Sequence, residues 1–224
     1  MTRFKICGLR DAANAVVAAE SGADFLGFVF VPGARRRLDM DDAQEILRDY
    51  RQSFGERGPR LVGLFANQPL EDVNRIIQHC GLDLAQLCGD EPPDYWDQVN
   101  ASVIGQIKVG DGPASDVIAE VRDRVVAVVD RGHIPLLDKR EPGSLGGTGR
   151  SFDWRVAEEV ASDFDLVLAG GLTADNVGRA IGSVQPWGVD VSSGVETEGA
   201  KNPVKIRAFG KVVRQSDGGA ATSE

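Results

Sequence analysis

Residues 166–196, LVLAGGLTADNVGRAIGSVQPWGVDVSSGVE, contain two short apolar runs separated by a helical segment. The runs at 166–169 and 188–191 have the length and composition of buried strands, and Thr173 is a suitable start for the helix between them. Glycine or serine follows each run directly. Because two parallel strands must be joined by a crossover connection, this strand–helix–strand unit predicts a parallel sheet.

The same unit recurs through the rest of the chain. Six further apolar runs, separated by amphipathic stretches, lie at residues 4–7, 25–30, 61–66, 82–87, 103–109 and 134–138. Eight strands alternating with helices in 224 residues predict an α/β fold of one domain, a (β/α)8 TIM barrel over residues 1–214. The polar residues 215–224 are expected to form a flexible tail.

One valine-rich segment has the composition of a ninth strand. Residues 125–129 are rich in β-branched side chains, which favour strands. However, Val117, Val121, Val125 and Val128 recur at helical spacing, and a ninth strand would break the alternation. We therefore predict one helix over residues 113–130.

The composition excludes several classes of protein. A net charge of −9 disfavours general binding to nucleic acid. The longest apolar candidate, residues 25–31, is too short to span a membrane. Three cysteines without a C-x-x-C pair and only two histidines predict neither a disulfide framework nor a metal site. The N-terminus lacks the apolar core of a signal peptide, so we expect a cytoplasmic protein.

The charged residues are biased in type. The chain has 22 Asp against 12 Glu and 19 Arg against 6 Lys. An acidic, lysine-poor surface suits a salt-rich cytoplasm, and a GC-rich genome would also favour arginine. Both explanations stay open.

Two candidate catalytic residues end predicted strands, where parallel barrels carry their reactive groups. Cys7 ends the first strand; it is either a base, which would need nearby cations to lower its pKa, or a small buried hydrophobe. Asp138 ends the sixth strand after two leucines and is either a partly desolvated acid or a turn residue.

Glycine and serine loops predict an anion site. Gly170, Gly171, Ser192 and Ser193 follow the last two strands, where barrels bind phosphate. Arg36, in the basic run 35–37, either grips a carboxylate or belongs to a solvated face. The glycine-rich residues Gly146, Gly147, Thr148 and Gly149 are expected to form a mobile loop. They miss the P-loop pattern, since Arg150 replaces its lysine.

In this order, these segments make the chain resemble the phosphoribosylanthranilate isomerase family. The matching strings are KICGL (5–9), GFVF (27–30), VGLF (62–65), QLCGDE (86–91), LLD (136–138), GGTG (146–149), FDW (152–154), LAGGLT (168–173) and GVDVSSGVE (188–196). Together they cover almost the whole chain.

The resemblance implies an Amadori rearrangement of a phosphoribosyl substrate in tryptophan biosynthesis. It assigns the general base to Cys7, the general acid to Asp138 and the anthranilate carboxylate to Arg36. Phosphate would bind at Gly170, Gly171, Ser192 and Ser193, and Asp190 nearby would be a further substrate-binding residue. It implies no cofactor and no metal, and the family includes monomers and homodimers. Cys88 stands where the family usually has histidine, which bears on the pH profile if that residue tunes a proton.

Two alternatives remain. Another phosphosugar barrel isomerase would use two aspartates, one of them where this chain has Cys7, and an indoleglycerol-phosphate synthase would need a lysine and glutamate constellation. A phosphate-binding barrel without catalysis would be expected to have lost either Cys7 or Asp138.

Overall fold

The computed structural model describes residues 1–55, 57–139 and 152–218 and contains the predicted closed, eight-stranded parallel barrel. Its strands are β1 (Arg3–Cys7), β2 (Phe25–Val29), β3 (Arg60–Phe65), β4 (Leu84–Leu87), β5 (Ser102–Val109), β6 (Ile134–Lys139), β7 (Val167–Leu168) and β8 (Gly188–Val191). Each strand pairs with its successor in the chain, and β8 pairs with β1 to close the barrel.

Helices cover the outside of the barrel. They are α1 (Ala12–Glu20), α2 (Met40–Phe54), α3 (Leu70–Cys80), α4 (Pro93–Trp96), α5 (Ala114–Val129), α6 (Trp154–Ala161), α7 (Val177–Val184) and α8 (Pro203–Gly218). A short antiparallel hairpin, β9 (Glu196–Thr197) and β10 (Ala200–Lys201), precedes α8. The hairpin was not predicted, because its residues resemble a polar loop.

The apolar core has two parts, because successive side chains of a strand point to opposite faces. Val62, Leu84, Ile104, Leu136 and Val167 are buried inside the barrel. A second, larger cluster fills the space between the strands and the helices.

The valine-rich segment is helical, as predicted. Val117, Val121, Val125 and Val128 form the buried face of α5. Helical spacing therefore outweighed the strand composition, because it gives the segment one continuous face to bury against the barrel.

The last helix extends beyond the residue at which the flexible tail was expected to begin. The flexible tail was expected from residue 215, but α8 continues to Gly218. Asp217 accepts hydrogen bonds from the backbone N–H and hydroxyl of Thr2, at 2.8 and 2.9 Å, so a polar residue of the supposed tail joins the two ends of the chain. Residues 219–224 lie outside the described ranges.

Among residues 1–55, 57–139 and 152–218, none of the helices has the length and apolar content needed to cross a membrane.

Candidate active site

A buried ion pair lies inside the barrel at the junction of its first and last strands. Lys5 on β1 donates from Nζ to Asp190 Oδ1 on β8 at 2.9 Å, and Lys5 is only 2 % exposed. Gly27 on β2 leaves room for the ammonium group, because a Cβ there would lie 3.2 Å from Nζ. Burial alone would lower the pKa of Lys5, but the neighbouring Asp190 and Cys7 raise it above its ordinary value. Lys5 is therefore a fixed cation.

Cys7 lies two residues beyond Lys5 and is itself buried. Burial raises the pKa of the Cys7 thiol, the cations Lys5 and Lys201 oppose the increase, and Asp190 adds to it. The cations expected around a reactive thiol are thus present, but they do not outweigh the effect of burial on its pKa.

Asp138 lies near the end of β6, and both of its carboxylate oxygens accept hydrogen bonds. Oδ2 accepts a hydrogen bond from Gln106 Nε2 at 3.0 Å, and Oδ1 accepts one from the backbone N–H of Lys139 at 2.8 Å. Its side chain is half-buried. The plane of the carboxylate is therefore fixed.

Arg36 belongs to a cluster of three cations around one carboxylate. Glu196, at the start of β9, accepts hydrogen bonds from Arg36 Nε at 2.6 Å and Nη2 at 3.0 Å. It also accepts from Arg35 Nη2 at 2.6 Å and Lys201 Nζ at 2.8 Å. Burial alone would raise the pKa of Glu196, but these donors lower it to about 2. A cleft of about 410 Å³ opens beside the cluster.

Gly8 makes room for Arg36. Its φ of +78° lies in the left-handed region, and a Cβ there would lie 2.4 Å from Arg36 Cδ. The residue after Cys7 therefore has to be small for Arg36 to lie across the end of β1.

The two glycine and serine loops lie against each other. Gly170 and Gly171 have φ values of +91° and +67°. Asn176 supports this turn by donating to the Gly171 carbonyl at 2.9 Å. In the next loop a Cβ on Gly194 would meet the Leu172 carbonyl oxygen at 1.9 Å, so the two loops are in contact.

The second of these loops is also tied to β1. Ser192 Oγ donates to the Cys7 carbonyl at 3.1 Å, and Ser193 begins a short 3-10 turn. The loop after β8 and the end of β1 therefore form one continuous rim.

The structure thus places Cys7, Asp138, Asp190 and both loops at the carboxyl ends of the strands, with Arg36 in the loop that follows β2. Gly146, Gly147, Thr148 and Gly149, the predicted mobile loop, lie outside the described residues. Cys88 is buried after β4, where its Sγ accepts from Gln86 Nε2 at 3.5 Å. Within the described ranges, no three His, Cys, Asp or Glu side chains are grouped as a metal site would require.

Sequence reasoning missed four residues of this site. They are Lys5, Gln106, Glu196 and Lys201. Alternation along β1 and β5 could have identified Lys5 and Gln106 as inward-facing polar residues. Glu196 and Lys201 gave no such signal, because their positions depend on the unpredicted hairpin.

Comparison with known proteins identifies the family of this chain. Residues 4–212 match the family model described as N-(5'phosphoribosyl)anthranilate (PRA) isomerase. A protein of that name from Roseiflexus castenholzii is 44 % identical over 92 % of this chain and 95 % of its own length. One from Dehalococcoides mccartyi is 39 % identical over 97 % of this chain and 98 % of its own.

Solved structures give the same result. Phosphoribosyl anthranilate isomerase from Thermotoga maritima matches with a TM-score of 0.80 and 33 % identity, over 97 % of this chain and all of that one. A structure of the enzyme in complex with reduced 1-(o-carboxyphenylamino)-1-deoxyribulose 5-phosphate matches with a TM-score of 0.78 and 32 % identity, over 96 % of this chain and 100 % of its own. This chain belongs to the N-(5'-phosphoribosyl)anthranilate isomerase family.

Proposed function

We propose that the chain converts N-(5'-phosphoribosyl)anthranilate into 1-(2-carboxyphenylamino)-1-deoxyribulose 5-phosphate, an Amadori rearrangement of tryptophan biosynthesis. The main support is that a thiol, a carboxyl group, an arginine and two glycine and serine loops lie at one mouth of the barrel in a member of this family. These groups complement the substrate, which has an anthranilate carboxylate at one end, a phosphate at the other and the reacting sugar carbons between them.

In the first step Asp138 is the general acid. It donates a proton to the ring oxygen of the ribose, and the bond between that oxygen and C1 breaks. The anthranilate nitrogen supplies electrons to C1, so an iminium forms. The hydrogen bonds from Gln106 and Lys139 stabilise the carboxylate that Asp138 becomes.

In the second step Cys7 is the general base. Its thiolate removes the C2 proton, which the iminium makes acidic, and the electron pair moves to the nitrogen. In the resulting enolamine the C2 hydroxyl loses a proton as C1 gains one, which gives the ketone. Substrate and product are isomers, and proton exchange with solvent resets both groups. Each positioned acid or base typically contributes about 10²–10⁴-fold.

The ends of the substrate are bound by separate groups. Arg36 binds the anthranilate carboxylate. Its Nη1 has no hydrogen-bond partner among the described residues, so that edge can accept a second carboxylate while Glu196 occupies the other. Gly170, Gly171, Ser192 and Ser193 bind the phosphate through amides and hydroxyls. Asp190 contributes by holding Lys5 beside Cys7.

The test is a fluorescence assay with freshly generated substrate, at low and at molar salt, for wild type, Cys7→Ser and Asp138→Asn. We expect rapid loss of substrate fluorescence in wild type and at least about 100-fold lower kcat in both variants. Cys80→Ser is the matched thiol control, because Cys80 is buried at the end of α3, outside the barrel interior. A folded wild type without turnover at either salt level would refute the activity and favour a phosphate-binding barrel.

The assembly is a monomer or a homodimer. A relative from Thermotoga maritima is described as dimeric. Light scattering of the active protein will distinguish the two states.

A further inference from the structure

Gln106 is a polar residue in an apolar part of the barrel interior. It lies on β5 and is 7 % exposed. Leu136 is its neighbour on β6, and Val167 follows on β7; both are buried and apolar. A leucine at position 106 would fill this space without a buried amide of its own, but it could not donate a hydrogen bond to Asp138.

One end of the Gln106 amide is used and the other is not. Nε2 donates to Asp138 Oδ2 at 3.0 Å. Oε1 is buried and has no hydrogen-bond partner within the described part of the chain. An unpaired buried acceptor lowers stability relative to an apolar side chain of the same shape. The amide therefore persists against a stability cost, which points to a role at Asp138.

We propose that Gln106 is a positioning residue that orients Asp138 in both of its protonation states. In the structure, its N–H group donates to the carboxylate. Rotation of the amide by about 180° would present Oε1, which can accept a hydrogen bond from the protonated carboxyl O–H. The inference rests on the proposed function, in which Asp138 alternates between these two forms in every turnover.

A neutral amide suits this position better than a cation would. A lysine or arginine at position 106 would add a cation that favours the carboxylate form of Asp138 and opposes its reprotonation. A glutamine offers a donor and an acceptor on one planar group, so it can orient either form without holding Asp138 in one of them.

The test measures kcat, KM and the urea midpoint of Gln106→Leu. We expect kcat to fall about 10–100-fold, a part of what the acid itself contributes. KM should change by less than about threefold, because Gln106 acts through Asp138 and not on substrate binding. The urea midpoint should change little, because the substitution removes both the unpaired acceptor and the hydrogen bond to Asp138. Gln106→Met replaces this variant if the leucine protein fails to fold.

A double-mutant cycle separates this role from a general structural one. If Gln106 acts through Asp138, adding Gln106→Leu to Asp138→Asn should change kcat by less than about twofold. A kcat of Gln106→Leu within about twofold of wild type, or an undiminished loss in the Asp138→Asn background, would overturn the inference while the isomerase activity stands. An inactive wild type would instead refute the proposed function.

Discussion

Glu196 holds Arg36 through both carboxylate oxygens, with Oε1 2.6 Å from Nε and Oε2 3.0 Å from Nη2. The same carboxylate also binds Arg35 and Lys201, so three cations share one anion. The cluster has a net positive charge, and its hydrogen bonds fix the plane of the Arg36 guanidinium group. Binding of a substrate carboxylate would therefore cost less conformational entropy, because the Arg36 side chain is already ordered.

We expect Glu196→Gln to raise KM for the phosphoribosyl substrate about 10-fold while kcat falls less than about threefold, because Arg36 loses its orientation and the chemistry is untouched. Steady-state kinetics will show the split. Arg36→Lys is the matched variant, since it keeps the positive charge but loses the planar guanidinium that binds a carboxylate through two N–H groups. It should raise KM at least as much as Glu196→Gln does. An unchanged KM in Glu196→Gln would contradict the orienting role.

Glu196 should also make the free energy of unfolding depend on pH in the acidic range. The cation cluster lowers its pKa from 4.5 to about 2, so the folded protein binds this proton more weakly than the unfolded chain. Its contribution is complete above the unfolded pKa and is lost as the pH falls towards the folded value. By linkage it amounts to about 3 kcal/mol.

Chemical denaturation of wild type and Glu196→Gln across this pH range will test the contribution. The difference in their free energies of unfolding should shrink between about pH 5 and about pH 2. A difference that does not change with pH would show that the carboxylate contributes only by packing.

The pKa of Cys7 predicts an alkaline activity profile. Burial raises this pKa above that of an ordinary thiol, so the thiolate fraction increases at higher pH than it would for an ordinary thiol. We expect kcat/KM to keep rising through the alkaline range, since this ratio reports groups of the free enzyme.

Lys5→Met should move the rise to higher pH by removing a cation beside the thiol. The kcat/KM profiles of wild type and this variant, with circular dichroism to confirm folding, provide the measurement. A plateau already reached near pH 7 would exclude a Cys7 with a raised pKa as the base.

Gly8 should tolerate no side chain, for a reason specific to the site. In Gly8→Ala the new Cβ would meet Arg36 Cδ at 2.4 Å, so we expect KM to rise about 10-fold or more as the arginine moves. Gly132→Ala is the control, because Gly132 has a similar φ of +73° but no atom within 4 Å of a new Cβ. Gly132→Ala should lose about as much stability as Gly8→Ala does, while its KM stays that of wild type. Equal effects on KM in both variants would attribute the change to backbone strain alone.

The barrel and the positions of Cys7 and Asp138 could be predicted because they follow from local rules. Each strand has a short apolar run, each helix has its own periodicity, and a residue at the end of a parallel strand must face the mouth. Even the valine-rich helix α5 follows from spacing within one segment.

The ion pairs could not be predicted in the same way. Lys5 and Asp190 are 185 positions apart, and only barrel closure makes them neighbours. Glu196 reaches Arg36 from 160 positions away. Asp217, which belongs to α8, is likewise bound to Thr2, which lies 215 positions away. In each case the contact depends on a partner far away in the sequence, which a short stretch of sequence does not contain.

The pairing of Lys5 with Asp190 has a consequence for synthesis of the protein. Lys5 is synthesised 185 residues before Asp190, and β1 has no partner on one edge until β8 arrives. Nascent chains that end before β8 should have an open strand edge at β1, which favours aggregation or chaperone capture. Catalytic competence should therefore appear in a single late event, after translation has passed β8, and fragments released earlier should be inactive.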